Sequence, residues 1–351
     1  MKLTIFNDYK EEEWISMNIY SSNLCKELRR LDDKITLREF AGLDKLSRLI
    51  PKKYYKIRYL FRFLVNPGLS YFVQGDINHI TDQANTHLQY FLNPKKTVIT
   101  CHDLVSPYWG FGIMKNAAKI ISVSEATKKE IIRKLNIDDS KIVVIPNGVE
   151  NIFTKIKNKQ KLEAFRNKYR IPAKFILIVG SVEKYKNIEF AIKVLAEILK
   201  KNKTIFLIKA GQPWTQSQKR IIKSLNLESN IINLGFVSKI FLLYLYNLAS
   251  CLFQPSFVEG FGLTVLEAMA CGCPVAVSDT QALKELVGDS GIVIDIKKAR
   301  DTARQILEVD KNTKIRAFYI NKGLKRSKLF NWHLTAQKTY QVYKSVLKQY
   351  K

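Results

Sequence analysis

Short apolar runs recur along this chain, separated by longer stretches whose apolar residues fall at helical spacing. Over residues 1–147 the runs KLTIF, KITL, INHI, TVITC, KIISV and KIVVIP read as strands. The predicted helix over residues 12–31 carries Trp14, Met17, Leu24, Leu28 and Leu31 on one face, with Ser21 completing the row. A lysine-rich stretch, FTKIKNKQKLEAFRNKYRIPAKF, then leads to a second series: FILIVG, TIFLIKAG, IINLGF, CLFQPS, PVAVS and GIVID. Pro172 interrupts the helical pattern, which puts a boundary at residues 170–173. Two such alternations predict an α/β fold of two facing Rossmann-like, doubly wound parallel sheets, residues 1–170 and 171–331. Ligands of this architecture bind in a cleft at the strand C-terminal ends.

The segment EGFGLTVLEAMACGCPV, residues 259–275, follows the strand CLFQPS and sets two glutamates on either side of a glycine loop. Gly260, Phe261 and Gly262 are too permissive for a helix interior, so the helix starts at Leu263 or Thr264. Leu266, Met269 and Ala270 then pack inward, and Glu267 is early enough to reach back toward the loop. Such a helix start offers open backbone N–H groups and a positive dipole end, a seat for a diphosphate. Glu259 and Glu267 would accept hydrogen bonds from a sugar and a ribose on either side of it.

Glu259, Gly260, Phe261, Gly262, Glu267, Ala268, Gly272, Pro274 and Val275 resemble the pattern of the retaining glycosyltransferases of family 4 (glycosyl transferases group 1). The resemblance implies a GT-B architecture whose final helix, residues 332–351, returns to the first domain. It assigns Glu259 to the donor sugar, Glu267 to the nucleotide ribose, and Phe261, Gly262, Leu263 and Thr264 to the sugar and phosphates through their amides. In VGSVEKYKN, residues 179–187, Gly180, Lys186 and Asn187 fit the diphosphate turn, but Ser181 and Tyr185 stand where the family has arginine. Lys184 is the substitute in sequence, though an ammonium does not reproduce a bidentate guanidinium. TVITCHDL supplies His102, which the family sets against the donor sugar, beside Asp103. In the following SVSEATKKEI and VIPNGV, Ser124 reads as a helix N-cap and Asn147-Gly148 as a turn. The implied reaction moves a hexosyl group from a nucleoside-diphosphate sugar to a glycan or lipid-linked acceptor with retention, Glu259 and His102 acting at the sugar. Family frequency leans to GDP-mannose or a UDP-hexose. NDYKEEEW replaces the family's glycine turn after the first strand, so acceptor identity transfers least.

Composition narrows the setting. With 351 residues and 46% hydrophobic content, two domains with cores of their own are expected. KLTIF is too short for a signal h-region and IFLLYLYNLASCLF, residues 240–253, too short for a membrane span. Five scattered cysteines read as reduced, buried thiols of a cytoplasmic protein. No Asp-x-Asp is present, so no metal site and no cofactor are expected, the nucleotide sugar being a substrate. The net charge of +27 calls for an anionic partner. The basic cluster at residues 45–62, with Tyr54, Ile57, Phe61 and nearby Leu64, fits peripheral docking on an anionic membrane face as well as an ordinary basic helix. A nucleic-acid-binding basic protein is the alternative from charge alone, although no nucleic-acid motif is recognised. A two-domain sugar-nucleotide epimerase is the alternative among enzymes.

Overall fold

The computed structural model of the chain describes residues 1–7, 15–40, 42, 50, 54, 57, 60–105 and 110–349. Contacts divide it into two compact units, residues 1–148 with 331–351, and residues 149–330. Each is built on a parallel sheet.

In the first unit the described strands are β1 (Lys2–Phe6), β2 (Thr36–Phe40), β3 (Ile77–Ile80), β4 (Thr97–Cys101), β5 (Lys119–Ser122) and β6 (Ile142–Val144). They pair in the order β2-β1-β3-β4-β5-β6. The central strands β3 and β4 are buried along their whole length, polar Asn78, His79, Thr97 and Thr100 included. Edge strand β2 starts later than KITL suggests and runs on through Arg38 and Glu39, because an edge strand bathed in water needs no apolar run.

The Ile15–Leu31 helix buries Tyr20, Ser21, Leu24, Cys25 and Leu28, each large apolar member contributing about 1.5–3 kcal/mol of burial. Met17 and Leu31 are only half-buried, and Trp14 lies outside the described residues. This helix packs on the Trp332–Lys348 helix of the same unit. Behind the contact runs a buried polar chain. Tyr20 Oη meets Thr100 Oγ1 at 2.8 Å, Thr100 Oγ1 meets His79 Nε2 at 2.8 Å, and His79 Nδ1 meets Tyr343 Oη at 2.6 Å. Burial pushes His79 down to about 3, so its ring is neutral. Gly148 admits the last helix: a Cβ there would stand 2.2 Å from the Trp332 backbone nitrogen.

The second unit carries β7 (Phe175–Gly180), β8 (Phe206–Gly211), β9 (Ile231–Gly235), β10 (Cys251–Gln254), β11 (Val275–Ser278) and β12 (Ile292–Ile294). Their order is β12-β11-β10-β7-β8-β9. The chain winds outward from β7 to β9, then returns to β10 on the other side of β7. Its topological switch point therefore lies between β7 and β10, where ligands of doubly wound sheets bind beyond the strand C-termini. Residues 149–170, placed with the first domain by sequence, belong here. The Lys159–Tyr169 helix explains why: Phe165 stacks on Tyr244 of the Lys239–Leu248 helix, ring centroids 4.3 Å apart. Pro172 lies between the end of that helix and β7, inside the second unit.

No helix of the described residues is long and apolar enough to cross a membrane; the apolar run at 240–253 is divided between the Lys239–Leu248 helix and β10. All five cysteines are buried, unbridged thiols. Most of the basic cluster at 45–62 lies outside the described residues.

Candidate functional site

The loops that leave β7 and β10 at the switch point are clasped to each other. Asn187, in the left-handed region at φ 52°, donates its side-chain amide to the Pro255 carbonyl at 3.1 Å. The Phe257 amide donates to the Tyr185 carbonyl at 2.7 Å. This brings Lys186 to Glu259: Nζ donates to Oε1 at 2.7 Å, where Gln254 Nε2 at 2.6 Å and Ser256 Oγ at 2.8 Å also converge. The Lys186 and Glu259 side chains are 18% and 10% exposed. An ion pair that dry persists only when hydrogen bonds complete it, and here three donors share one oxygen. Oε2 of Glu259 keeps its acceptor capacity.

Directly after this pair, Gly262 adopts φ +100° as the cap of the Leu263–Ala270 helix. A Cβ at Gly262 would also lie 2.8 Å from Leu283 Cδ2, so the conformation favours glycine and a side chain there would have to displace that methyl. The Val265 and Leu266 amides bond back to the Gly262 carbonyl, while those of Leu263 and Thr264 precede any intrahelical acceptor. The helix thus opens with its positive end beside Glu259. Phe261 offers backbone only, its ring being buried edge-on to Phe330 at 5.9 Å. Leu266 and Met269 are buried as expected, whereas Ala270, last in the helix, is half-buried.

Glu267 is no solvated charge. It is buried and accepts from Tyr246 Oη at 2.9 Å, and burial pushes its carboxyl up to about 8. At neutral pH it is mostly protonated, able to donate as well as accept. Gly180 closes β7 at φ +120°. Lys184 is exposed on the following turn.

His102, in the first unit, follows β4 and is buried. Its Nε2–H donates to the Thr81 carbonyl at 2.9 Å, its backbone amide to Gln83 Oε1 at 2.8 Å, and its ring stands edge-on to Tyr20 at 4.8 Å. Burial pushes it down to about 4, so it is a neutral imidazole with Nδ1 as acceptor. Ser124 caps the Glu125–Leu135 helix, accepting from the Thr127 amide at 3.0 Å.

Sequence reasoning missed Gln254, Ser256 and Tyr246, which hold the two glutamates, and Lys209, buried in β8. A lysine inside the apolar run TIFLIKAG was the one available signal. A cavity among Arg166, Lys174, Asp310 and Arg316 opens where β7 and β10 begin, the opposite edge of the sheet. Its cations are bound to Glu163, Asp310 and backbone carbonyls. Among the described residues no group of three His, Cys, Asp or Glu side chains is placed to hold a metal ion.

A family model described as "Glycosyl transferases group 1" matches residues 160–326, and one described as "Glycosyltransferase Family 4" matches residues 17–151. The O-antigen chain mannosyltransferase B of Escherichia coli is 30% identical over 235 residues, 66% of this chain and 61% of that protein. The serotype-specific mannosyltransferase WbdA of Escherichia coli is 29% identical over 268 residues, 69% of this chain and 32% of that protein. The chain thus spans about a third to three fifths of the length of these curated relatives. Among solved structures, Anabaena HepE in complex with UDP and glucose superposes with a TM-score of 0.80 at 18% identity, covering 98% of this chain and 100% of that one. Sucrose-phosphate synthase from Thermosynechococcus elongatus gives 0.74 at 18% identity, covering 99% and 100%. At that identity the likeness is one of fold.

Proposed function

We propose that this chain, which is a GT-B-type glycosyltransferase related to the glycosyl transferases group 1 and glycosyltransferase family 4, moves a hexosyl group from a nucleoside-diphosphate sugar to a glycan or lipid-linked acceptor with retention. The single observation that carries the reading is the Lys186–Glu259 contact at the switch point, set against the open start of the Leu263–Ala270 helix. In this reading the amides at Gly262, Leu263 and Thr264 and the Lys186 ammonium take the diphosphate, with Gly180 allowing its close approach. Glu259 Oε2 holds a hydroxyl of the donor sugar, and Glu267, steadied by Tyr246, meets the ribose. The acceptor hydroxyl attacks the anomeric carbon from the face the diphosphate leaves, and a departing phosphate oxygen takes the hydroxyl proton. Neutral His102 acts on the sugar as a hydrogen-bond acceptor rather than as a cation.

Two of the curated relatives are mannosyltransferases by name, and HepE was solved with UDP and glucose. GDP-mannose and UDP-glucose are accordingly the first donors to try. Exposed Leu60, Leu64, Tyr71, Phe72 and Tyr90 in the first unit support a lipid-linked acceptor at a membrane face.

A thermal-shift panel of nucleotide sugars tests the function. The true donor at a hundred times its dissociation constant should add about 2.7 kcal/mol of stability. No shift with any nucleotide sugar removes the reading. Floating the same protein with anionic vesicles tests the membrane part, and protein left at the bottom of the gradient removes it.

A further inference from the structure

Lys209 is a lysine that its surroundings give no ordinary reason to keep. It lies in β8 opposite Ile178 of β7, with none of its surface exposed, two residues before the strand ends. Its Nζ donates to the Gln212 carbonyl, and to the Gly180 carbonyl at 3.3 Å, and it stands 5.5 Å from the centre of the Trp214 ring. Among the described residues no carboxylate lies within ion-pair distance of it. Burial alone pushes the amine down to about 8, which still leaves it mostly charged at neutral pH. A buried ammonium without a counter-ion is expensive, and an apolar side chain in a strand core would avoid the cost.

The carbonyls it meets belong to the loops at the switch-point end of the sheet. Gly180 and Gly211 are paired across β7 and β8, with φ +120° and +121°, and a Cβ on Gly211 would stand 2.3 Å from the Gly180 oxygen. The Gly180 carbonyl accepts from the Gln212 amide at 3.3 Å as well as from Lys209. Gln212 Oε1 in turn accepts from the Val182 amide at 3.2 Å, and Gln218 Nε2 donates to the Val182 carbonyl at 3.4 Å. Residues 180–182, the start of the turn that presents Lys186, are therefore held from below by one network rooted on Lys209. Parallel strands end in carbonyl oxygens, whose negative ends would repel a diphosphate. Lys209 covers two of them.

We propose that Lys209 is a positioning residue for the donor diphosphate, supplying from beneath the turn the second positive charge that Ser181 and Tyr185 do not provide. It touches no substrate. It fixes the course of residues 180–182 and offsets the carbonyl dipoles there, while Lys186 and the helix amides make the direct contacts. The inference rests on the function proposed above.

The test is calorimetric binding of a nucleoside, its monophosphate and its diphosphate, in the uridine and guanosine series, to wild type, Lys209→Met, Lys209→Gln and Lys209→Arg. The neutral variants should bind diphosphate at least tenfold more weakly, about 1.4 kcal/mol, with nucleoside affinity within twofold of wild type. Lys209→Arg should keep diphosphate affinity within threefold. Equal losses for nucleoside and diphosphate mark a merely structural lysine and overturn the proposal, as does a folded neutral variant that binds diphosphate like wild type. Should neither neutral variant fold, the arginine variant decides, and a tenfold loss of diphosphate overturns the proposal. Wild-type protein that binds no nucleoside diphosphate fails the function itself, a different outcome.

Discussion

Tyr20, Thr100, His79 and Tyr343 in the first unit and Lys186, Glu259 and Lys209 in the second are all largely hidden from water, yet they are hidden on different terms. The first set is neutral and closed, each member bonded to the next. Such a chain fixes one arrangement of the helices and strands that contribute to it and leaves little for a ligand to use. The second set is charged and sits between glycines and open helix amides. Its desolvation cost is repaid only if the field it creates acts on something. In the function proposed above, the chain from Tyr20 to Tyr343 is framework, and the set around Lys186 and Glu259 is machinery.

The largest effect expected from this division is at Glu259. Glu259→Ala should lower transfer from the donor at least about a hundredfold, with the folded circular dichroism spectrum retained. Full activity, followed by label transfer, would refute the assignment. Next comes Tyr343→Phe, which leaves His79 Nδ1 without its partner in a fully buried place. It should cost about 1–3 kcal/mol in urea unfolding and leave donor affinity unchanged; a drop in affinity would blur the division between the two interiors.

The last effect is a slope with pH. Glu267 titrates at about 8 instead of its ordinary 4.5, so the fold favours its protonated form. Its contribution to stability is complete below pH 4.5 and is lost as pH rises through about 8, by at most about 1.4 kcal/mol per pH unit. His79 and His102 run the other way, contributing above pH 6.5 and losing that contribution as pH falls through about 4 and then 3. Comparing wild type with Glu267→Gln cancels the histidines. The variant should gain on wild type steadily from pH 5 to 8.5 in urea unfolding, and a constant difference would show that Glu267 is not held protonated.

What could be seen in the chain beforehand follows the same line. INHI, TVITC and FILIVG declared their strands because short runs led by Ile, Val, Thr, Phe and Leu suit the middle of a parallel sheet, and their bounds agree with the structure. The helix start was legible to within one residue, Leu263 or Thr264, because Gly260 to Gly262 are too permissive for a helix interior. Glu259 and Lys186 could each be named from their resemblance to a family pattern. Their meeting could not, since it depends on β10 returning to the side of β7 that β8 leaves open. His79 looked like one residue of a strand, and its partner Tyr343 lies 264 positions away. Lys209 and Tyr246 were hidden inside apolar runs, where a single polar residue is read as noise until its neighbours are known.

That separation of 264 positions also orders events during synthesis. The unit begun first is the last to be finished: its sheet can assemble early, but Tyr343 and the Trp332–Lys348 helix arrive only after the whole second unit has been made. Until then His79 waits beneath an uncovered apolar surface, so a chain stopped just short of the Trp332–Lys348 helix would harm the domain begun first and spare the one made second.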